Sequence, residues 1–384
     1  MSPPAAFGAL VIGGGIHGLS TAWHLARLGA ERVALVEQFR FGHAKGSSHG
    51  HSRITRSSYG DALYVELMQH AHGEEWPRLE QACGTPLVHP NDGAYFGPAD
   101  GPFEDYARAV ASVGADVERI GIPEARRRFP LFAFPDAVGV LHDHTGGLIA
   151  ACDTIEALTR RCWIDGVHGL EETRVIGIDP SRDPVVVTTD RGTLLAERVV
   201  ITAGAWVQRL VPELAGRVII KRQHVGYFEL DAPTQAQRLG HFPVWAYLGH
   251  GENGLRYGLP EFGSRGVKAA LHTLAVAPDD PDQVVAPDEA VLERTRHFFA
   301  EQLSVPIRSR VHAETCWFTS TASEDFVLDA CPGAERVWVG SACSGHGFKF
   351  GPLVGRILAE LALNGRSTVE PFERHRGRFA LARD

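Results

Sequence analysis

The sequence predicts an α/β (α+β) protein: a Rossmann-like dinucleotide-binding domain carrying an inserted antiparallel-sheet domain. Three observations predict it. A strand–glycine turn–helix–strand unit opens the chain, segments with antiparallel character fill its middle, and strands that complete the first unit recur near its end. At 384 residues the chain exceeds what one hydrophobic core usually serves. The expected division is discontinuous: 1–82, 150–216 and 325–384 form the dinucleotide domain, and 83–149 with 217–324 form the substrate domain.

Ala9-Leu10-Val11-Ile12 is a continuous apolar run, as a buried parallel strand should be. Glycines follow at once, and Leu19, Ala22, Trp23 and Ala26 then recur at helical spacing until Gly29. Val33-Ala34-Leu35-Val36 is a second apolar run, closed by Glu37. Farther on, 183–190, 192–195 and 198–202 read as meander strands, and 222–230 as an antiparallel strand. Residues 277–283 read as a surface loop before a helix over 289–302. Residues 336–340 predict another strand, and 352–363 a last helix stopped by Gly365.

Composition excludes several classes. Apolar residues make up 44% and charged residues 22%, ordinary values for a soluble globular protein. A net charge of −8 gives no pull toward nucleic acid or anionic lipid, so any anion must be held by a few placed cations. The six cysteines lie far apart without a C-x-x-C pair, which suits a reducing compartment and neither a disulfide framework nor a zinc site. The first residues carry no positive region before the apolar run and read into a strand, and no apolar run reaches the ~18 residues a membrane span needs. A cytoplasmic monomer with no membrane or nucleic-acid partner is expected.

Gly13, Gly15 and Gly18 fit G-x-G-x-x-G in its proper context, between a strand and a helix. The first permits the tight turn, the second lets a pyrophosphate approach backbone, and the third allows close helix–strand packing. Glu37, 19 residues after Gly18, is placed to accept from a ribose hydroxyl and would repel the 2′-phosphate of NADP. FAD and NAD both remain open on this motif.

Two further segments bring cations to small residues. Ser47–Arg56 sets Ser48, His49, Arg53 and Arg56 beside glycine and serine, where backbone can lie close to a flat ligand and arginine can match an anion. Ser344–Gly351 places Gly345, Gly347 and Lys349 before the last helix, whose N-terminus would face the negative end of a reduced flavin. With its strand and helix context, the chain resembles the monomeric sarcosine oxidase and N-methyltryptophan oxidase family of FAD amine oxidases. The matching pieces are Gly13–Gly18 with Glu37, Gly46–Arg56, Ala203–Trp206, Tyr257–Pro260, Gly266–Lys268 with His272, Glu314–Cys316 and Ser344–Phe350. They run in family order over almost the whole chain.

The resemblance implies a set of roles. FAD would be bound covalently through Cys316, which as a lone thiol would otherwise read as a buried core residue. Lys268 would sit near flavin N5 and promote reaction with oxygen, since a cation stabilises the developing superoxide. Arg56 and Lys349 would bind a substrate carboxylate, and Tyr257 and His272 would line the substrate site. Phe318 stands where a tyrosine is expected, Trp317 is bulky, and Ala269-Ala270-Leu271 differ in size from the family pattern; these departures bear on the substrate. The implied reaction oxidises a secondary amine or N-substituted amino acid, hydrolyses the imine in water and reduces dioxygen to hydrogen peroxide. No metal is expected, because the histidines lack ligand spacing. A flavin dehydrogenase serving a quinone or protein partner, an NAD-dependent dehydrogenase and a nucleotide-sensing module are the alternatives.

Overall fold

The computed structural model describes residues 5–250, 254–272 and 280–381. The expected loop 277–283 and the first four residues of the chain therefore lie partly or wholly outside the described residues. Ala5–Ile12 runs through the first sheet, with Val33–Val36 parallel on one side and Gly192–Ile201 parallel on the other. Its last four residues and all of Val33–Val36 are buried, which explains their unbroken apolar character. His168–Leu170 extends the parallel set beyond Val33–Val36, and Ala334–Ser341 pairs parallel with the second half of Gly192–Ile201.

The meander differs from its expectation in one respect. Gly192–Ile201 is one continuous strand and not two. Parallel to Ala5–Ile12 along nearly its whole length, it takes on its other side the antiparallel Val185–Thr189 with its first half, which in turn pairs with Val175–Asp179, and the parallel Ala334–Ser341 with its second. Residues 196–197, which look like a break in the apolar pattern, are where the strand passes between these two environments.

The second sheet has eight strands, ordered Ile307–Thr321, Val218–Leu230, Val267–Leu271, Arg256–Leu259, Val244–Tyr247, Gly93–Phe96, Val140–Asp143 and Val117–Ile120. All pairs are antiparallel except Val244–Tyr247 with Gly93–Phe96. One face carries Val267, Ala269, Phe228 and Trp245 into an aromatic core, where Trp245 stacks on Phe299 of the helix Glu289–Gln302 at 5.2 Å. The other face is left for different work. A small third sheet, Ser52–Thr55, Gly147–Ala150 and Val88–Pro90, ties segments from both expected units together.

The helix Ile16–Arg27 is buried around most of its circumference, more than its apolar spacing suggests. The reason is the last helix, Gly351–Asn364, capped as expected by Gly365 at φ 72°. A Cβ on Gly351 would lie 2.3 Å from Ile16 Cγ1, and one on Gly355 2.3 Å from Ser20 Cβ. The two helices thus run side by side in the same direction, in contact through glycine. Helix propensity alone would make alanine better than glycine at position 355 by ~1 kcal/mol. The contact reverses that sign: Gly355→Ala is expected to lower stability by ~1–3 kcal/mol in urea unfolding, as overpacking does. A stabilised variant would mean that the helices are not held this closely.

Candidate active site

The carboxyl ends of the parallel strands open into a cleft of about 1260 Å³, where open α/β sheets bind their ligands. Its floor is the glycine turn after Ile12, its side wall is Ser47–Arg56, and the free face of the second sheet covers it. The parallel helices bring both of their N-termini to this end of the sheet.

Gly13 adopts φ 107°, which side chains other than glycine rarely accept. A Cβ on Gly18 would lie 1.8 Å from Gly13 O, so the third glycine is dictated by contact with the turn itself. Glu37 Oε2 accepts from Gly14 N–H at 2.8 Å and Oε1 from Phe39 N–H at 2.8 Å. Burial pushes this carboxyl toward its neutral form, yet His43 and the two N–H groups hold it below its ordinary value. Glu37 therefore braces the turn, a task the sequence reading did not assign to it. His17, inside the motif, is linked to Gly347 O at 3.2 Å and so joins the two glycine-rich segments.

The second expected segment is organised largely by its own side chains. Ser48 Oγ accepts from Ile16 N–H at 3.1 Å, capping a helix whose neighbouring residues offer no side-chain cap. Arg53 donates to the carbonyls of Ser47, His49 and Ser52 at 2.6–2.9 Å, stitching the loop where an anion contact was anticipated. His49 is pushed down to about 4 by burial first and by Arg53 second. Its Nε2 and the Oγ of Ser344, both at the cleft, are buried polar atoms without a hydrogen-bond partner among the described residues. Facing the cleft, these two atoms are placed where a bound ligand would satisfy them. Gly345, at φ 73°, lies where a Cβ would meet His272 Cε1 at 2.3 Å. These features fit a flat, polar-edged dinucleotide cofactor.

The register of the second sheet decides what faces this ligand. Tyr227 pairs with both Lys268 and His312, Val225 with both Ala270 and Glu314, and Gln223 with Cys316. Lys268, Ala270, Tyr257, Glu314 and Cys316 thereby share one face, opposite to Val267 and Ala269, and all of them but Ala270 line the cleft. A one-residue slip would turn all of them into the aromatic core. Burial pushes the Cys316 thiol up to about 11, against the pull of Arg53 and Lys268. Burial likewise pushes Lys268 down to about 8. His272 directly follows Val267–Leu271, the strand that carries Lys268, and pairs with Glu324 Oε1 at 2.8 Å.

Arg56 and Lys349, 293 positions apart in the sequence, meet at one residue that sequence reasoning passed over. Arg56 lies over the Tyr59 ring at 4.3 Å, and Lys349 Nζ donates to Tyr59 OH at 3.1 Å. Lys349 also donates to His346 O at 2.8 Å, and Tyr59 OH is 3.2 Å from His346 Nδ1. Burial, and then the Arg56 charge, push Lys349 well below the usual lysine range. Burial and Lys349 push His346 down to about 3, so its ring is neutral and can accept at Nδ1 from Tyr59 while Nε2–H reaches Glu324 O at 3.1 Å. The one sequence signal for Tyr59 is its place three residues after Arg56. Tyr95 and Tyr106, at 5.3 and 5.7 Å, complete an aromatic surround for the guanidinium.

Away from the cleft, Asp92, His142 and His144 bring three ligand atoms within 4.8 Å of one another. Arg128 donates to His142 Nδ1 at 2.6 Å and His142 Nε2 faces Asp92 at 2.9 Å, which is the polarity of a charge chain and the reverse of a metal-bound imidazole. No helix among the described residues is long and apolar enough to cross a membrane.

Comparison with known proteins places these features in context. The family model described as FAD dependent oxidoreductase matches residues 9–361. The peroxisomal sarcosine oxidase of Mus musculus is 32% identical over 361 residues, 92% of each chain. The N-methyl-L-tryptophan oxidase of Salmonella dublin is 29% identical, covering 94% of this chain and 96% of its own. Among solved structures, a tyrosine-to-phenylalanine form of NikD, described as an unusual amino acid oxidase, superposes with a TM-score of 0.84 at 25% identity, covering 98% of this chain and 97% of its own.

The Glu37 brace is open to direct test. Glu37→Ala leaves one buried and one half-buried N–H group unpaired and is expected to cost ~1–3 kcal/mol in unfolding at neutral pH. Because the folded carboxyl lies below its ordinary value, its ionic contribution is present above ~4.5 and is lost as pH falls through the folded value. Wild-type and Glu37→Gln stabilities should therefore converge toward acid; a pH-independent difference would remove the charge from the explanation.

Proposed function

This chain belongs to the FAD dependent oxidoreductase family and is an FAD-dependent amine oxidase, and from that premise we propose that its substrate is a small N-substituted amino acid held by its carboxylate. One juxtaposition carries the reading. Arg56 and Lys349 converge on Tyr59 in the same cleft that Lys268, Tyr257 and Cys316 face from the sheet above. Two buried cations within an acidic protein are costly unless an anion joins them, and a carboxylate is the anion that amino acids bring.

In this reading Gly13, Gly15, Gly18 and Glu37 would hold the dinucleotide part of the cofactor, and Ser48, His49, Arg53, Gly345 and Gly347 would line the rest of its site. Cys316 provides the covalent tether to the 8α-methyl. When bound, FAD supplies the N5 atom that accepts a hydride equivalent and the electrons that reduce dioxygen to hydrogen peroxide. Arg56 and Lys349 fix the carboxylate, so the C–H beside nitrogen is presented in one orientation. The same two charges disfavour the ammonium form of the bound amine, which keeps its lone pair free to assist loss of that hydrogen. Tyr257 and His272 border the space for the nitrogen substituent, with Phe318 5.5 Å from the His272 ring. Lys268 presents a positive charge where dioxygen is reduced. The imine leaves and hydrolyses in water. A cytoplasmic monomer completes the proposal, in keeping with six unpaired cysteines.

Two outcomes are expected. Acid-precipitated wild-type protein should stay yellow, while Cys316→Ala should release its colour to the supernatant; colour retained by the variant would exclude the tether. Lys349→Ala and Arg56→Ala should each raise KM for a sarcosine-like substrate by the equivalent of ~1.5–3 kcal/mol, the range of a charge-assisted hydrogen bond. Unchanged KM in both would remove the carboxylate from the proposal.

A further inference from the structure

Of the 38 Lys and Arg residues only four are lysine, namely Lys45, Lys221, Lys268 and Lys349. Arginine stays charged in any protein environment, whereas a buried lysine can lose its proton. Lys268 is 4% exposed, so something must decide its charge. Glu314 is a cleft-facing acid to which neither the fold nor the proposed chemistry has given a task.

We propose that Glu314 is a positioning residue that keeps Lys268 charged and aimed into the cleft. The inference rests on the reading of Lys268 as the group that meets dioxygen. The register places Glu314 two strands from Lys268 and one step along, with Tyr227 between them. Tyr227 OH donates to Glu314 Oε1 at 2.7 Å and thereby points that oxygen at the lysine. Lys268 Nζ is 3.7 Å from the same oxygen, too long for a hydrogen bond and close enough for strong attraction out of water. Ser52 O, at 3.3 Å, receives the ammonium from the other side, and the Tyr227 ring lies 5.7 Å from it.

Of the remaining groups that face Lys268, Arg53, from the strand Ser52–Thr55, opposes its charge, Cys316, on the strand of Glu314, carries none once tethered, and His49, from the preceding loop, is neutral. Burial is the largest influence and Glu314 the main carboxylate counterweight, leaving the lysine at about 8. Glu314 itself is held below its ordinary value, with burial opposed by Lys268 and by the Tyr227 hydroxyl. Deleting its charge should therefore lower the Lys268 midpoint.

Four lysines make the measurement tractable. Holoenzyme carrying lysine labelled with ¹³C at the ε-carbon should give few resonances, with Lys268 assigned from Lys268→Met. In Glu314→Gln the Lys268 midpoint is expected to fall by ~1 pH unit or more, the usual effect of losing an adjacent opposite charge. Glu314→Asp, which keeps the charge on a shorter arm, should restore most of it, and it serves as the test if the glutamine variant fails to fold. Stopped-flow reoxidation of reduced enzyme should follow the same midpoint: at pH 8 a ~1-unit fall cuts the charged fraction roughly fivefold. A midpoint unmoved in Glu314→Gln, or lowered as far in Glu314→Asp as in a neutral variant, overturns the proposal. A lowered midpoint with unchanged reoxidation leaves the pair standing and instead removes Lys268 from the oxygen step.

Discussion

The close parallel packing of the first and last helices is the constraint on which the site depends. Two glycines of Gly351–Asn364 sit against Ile16 and Ser20 with no room for a Cβ. That contact has three consequences. It covers the outer side of Ile16–Arg27, which is why Ser20, Thr21 and His24 are buried beside the expected apolar residues. It brings the N-termini of both helices to the same end of the sheet, so their partial positive charges act on one ligand. It also carries Lys349, just before Gly351, to within reach of Tyr59 and the arginine of the opening third of the chain.

The second sheet supplies the complementary half through alternation alone. Its core face is apolar and aromatic, and its other face is a row of chemically active side chains set in antiparallel register. Because the aromatic face must be buried, the active face cannot rotate away. The result is a cleft where an acidic protein concentrates positive charge: Arg53, Arg56, Lys268 and Lys349 line it, with Glu314 and Glu324 as partial counterweights. Burial lowers the affinity of the two lysines for protons, so each keeps its charge only as far as its neighbours allow.

Much of this was legible in the sequence, and what was not has a common cause. The glycine turn, the acid after the second strand, the helix over 289–302 and the final helix with its glycine stop follow from local pattern, and local pattern acts over a few residues. The positions of Arg56, Lys349, Lys268 and Cys316 in one cleft came from resemblance; no spacing rule links them. Tyr59, His346, His17 and Glu324 were passed over because their roles exist only across long sequence separations, as in the contact between residues 59 and 349. Glu37, Ser48 and Arg53 were assigned to the ligand, and each also serves the backbone around it. That double duty is invisible to a motif, which records a residue type and not its hydrogen bonds.

The central claim is that this cleft holds a flavin which a carboxylate-bearing secondary amine can reduce. Anaerobic titration of the purified protein with N-methyl amino acids, followed in the visible flavin band, tests it most directly. The account predicts that the band is present, bleaches on addition of such a substrate and returns when air is admitted. A colourless protein, or a flavin band that simple amines lacking a carboxylate bleach equally well, would contradict it.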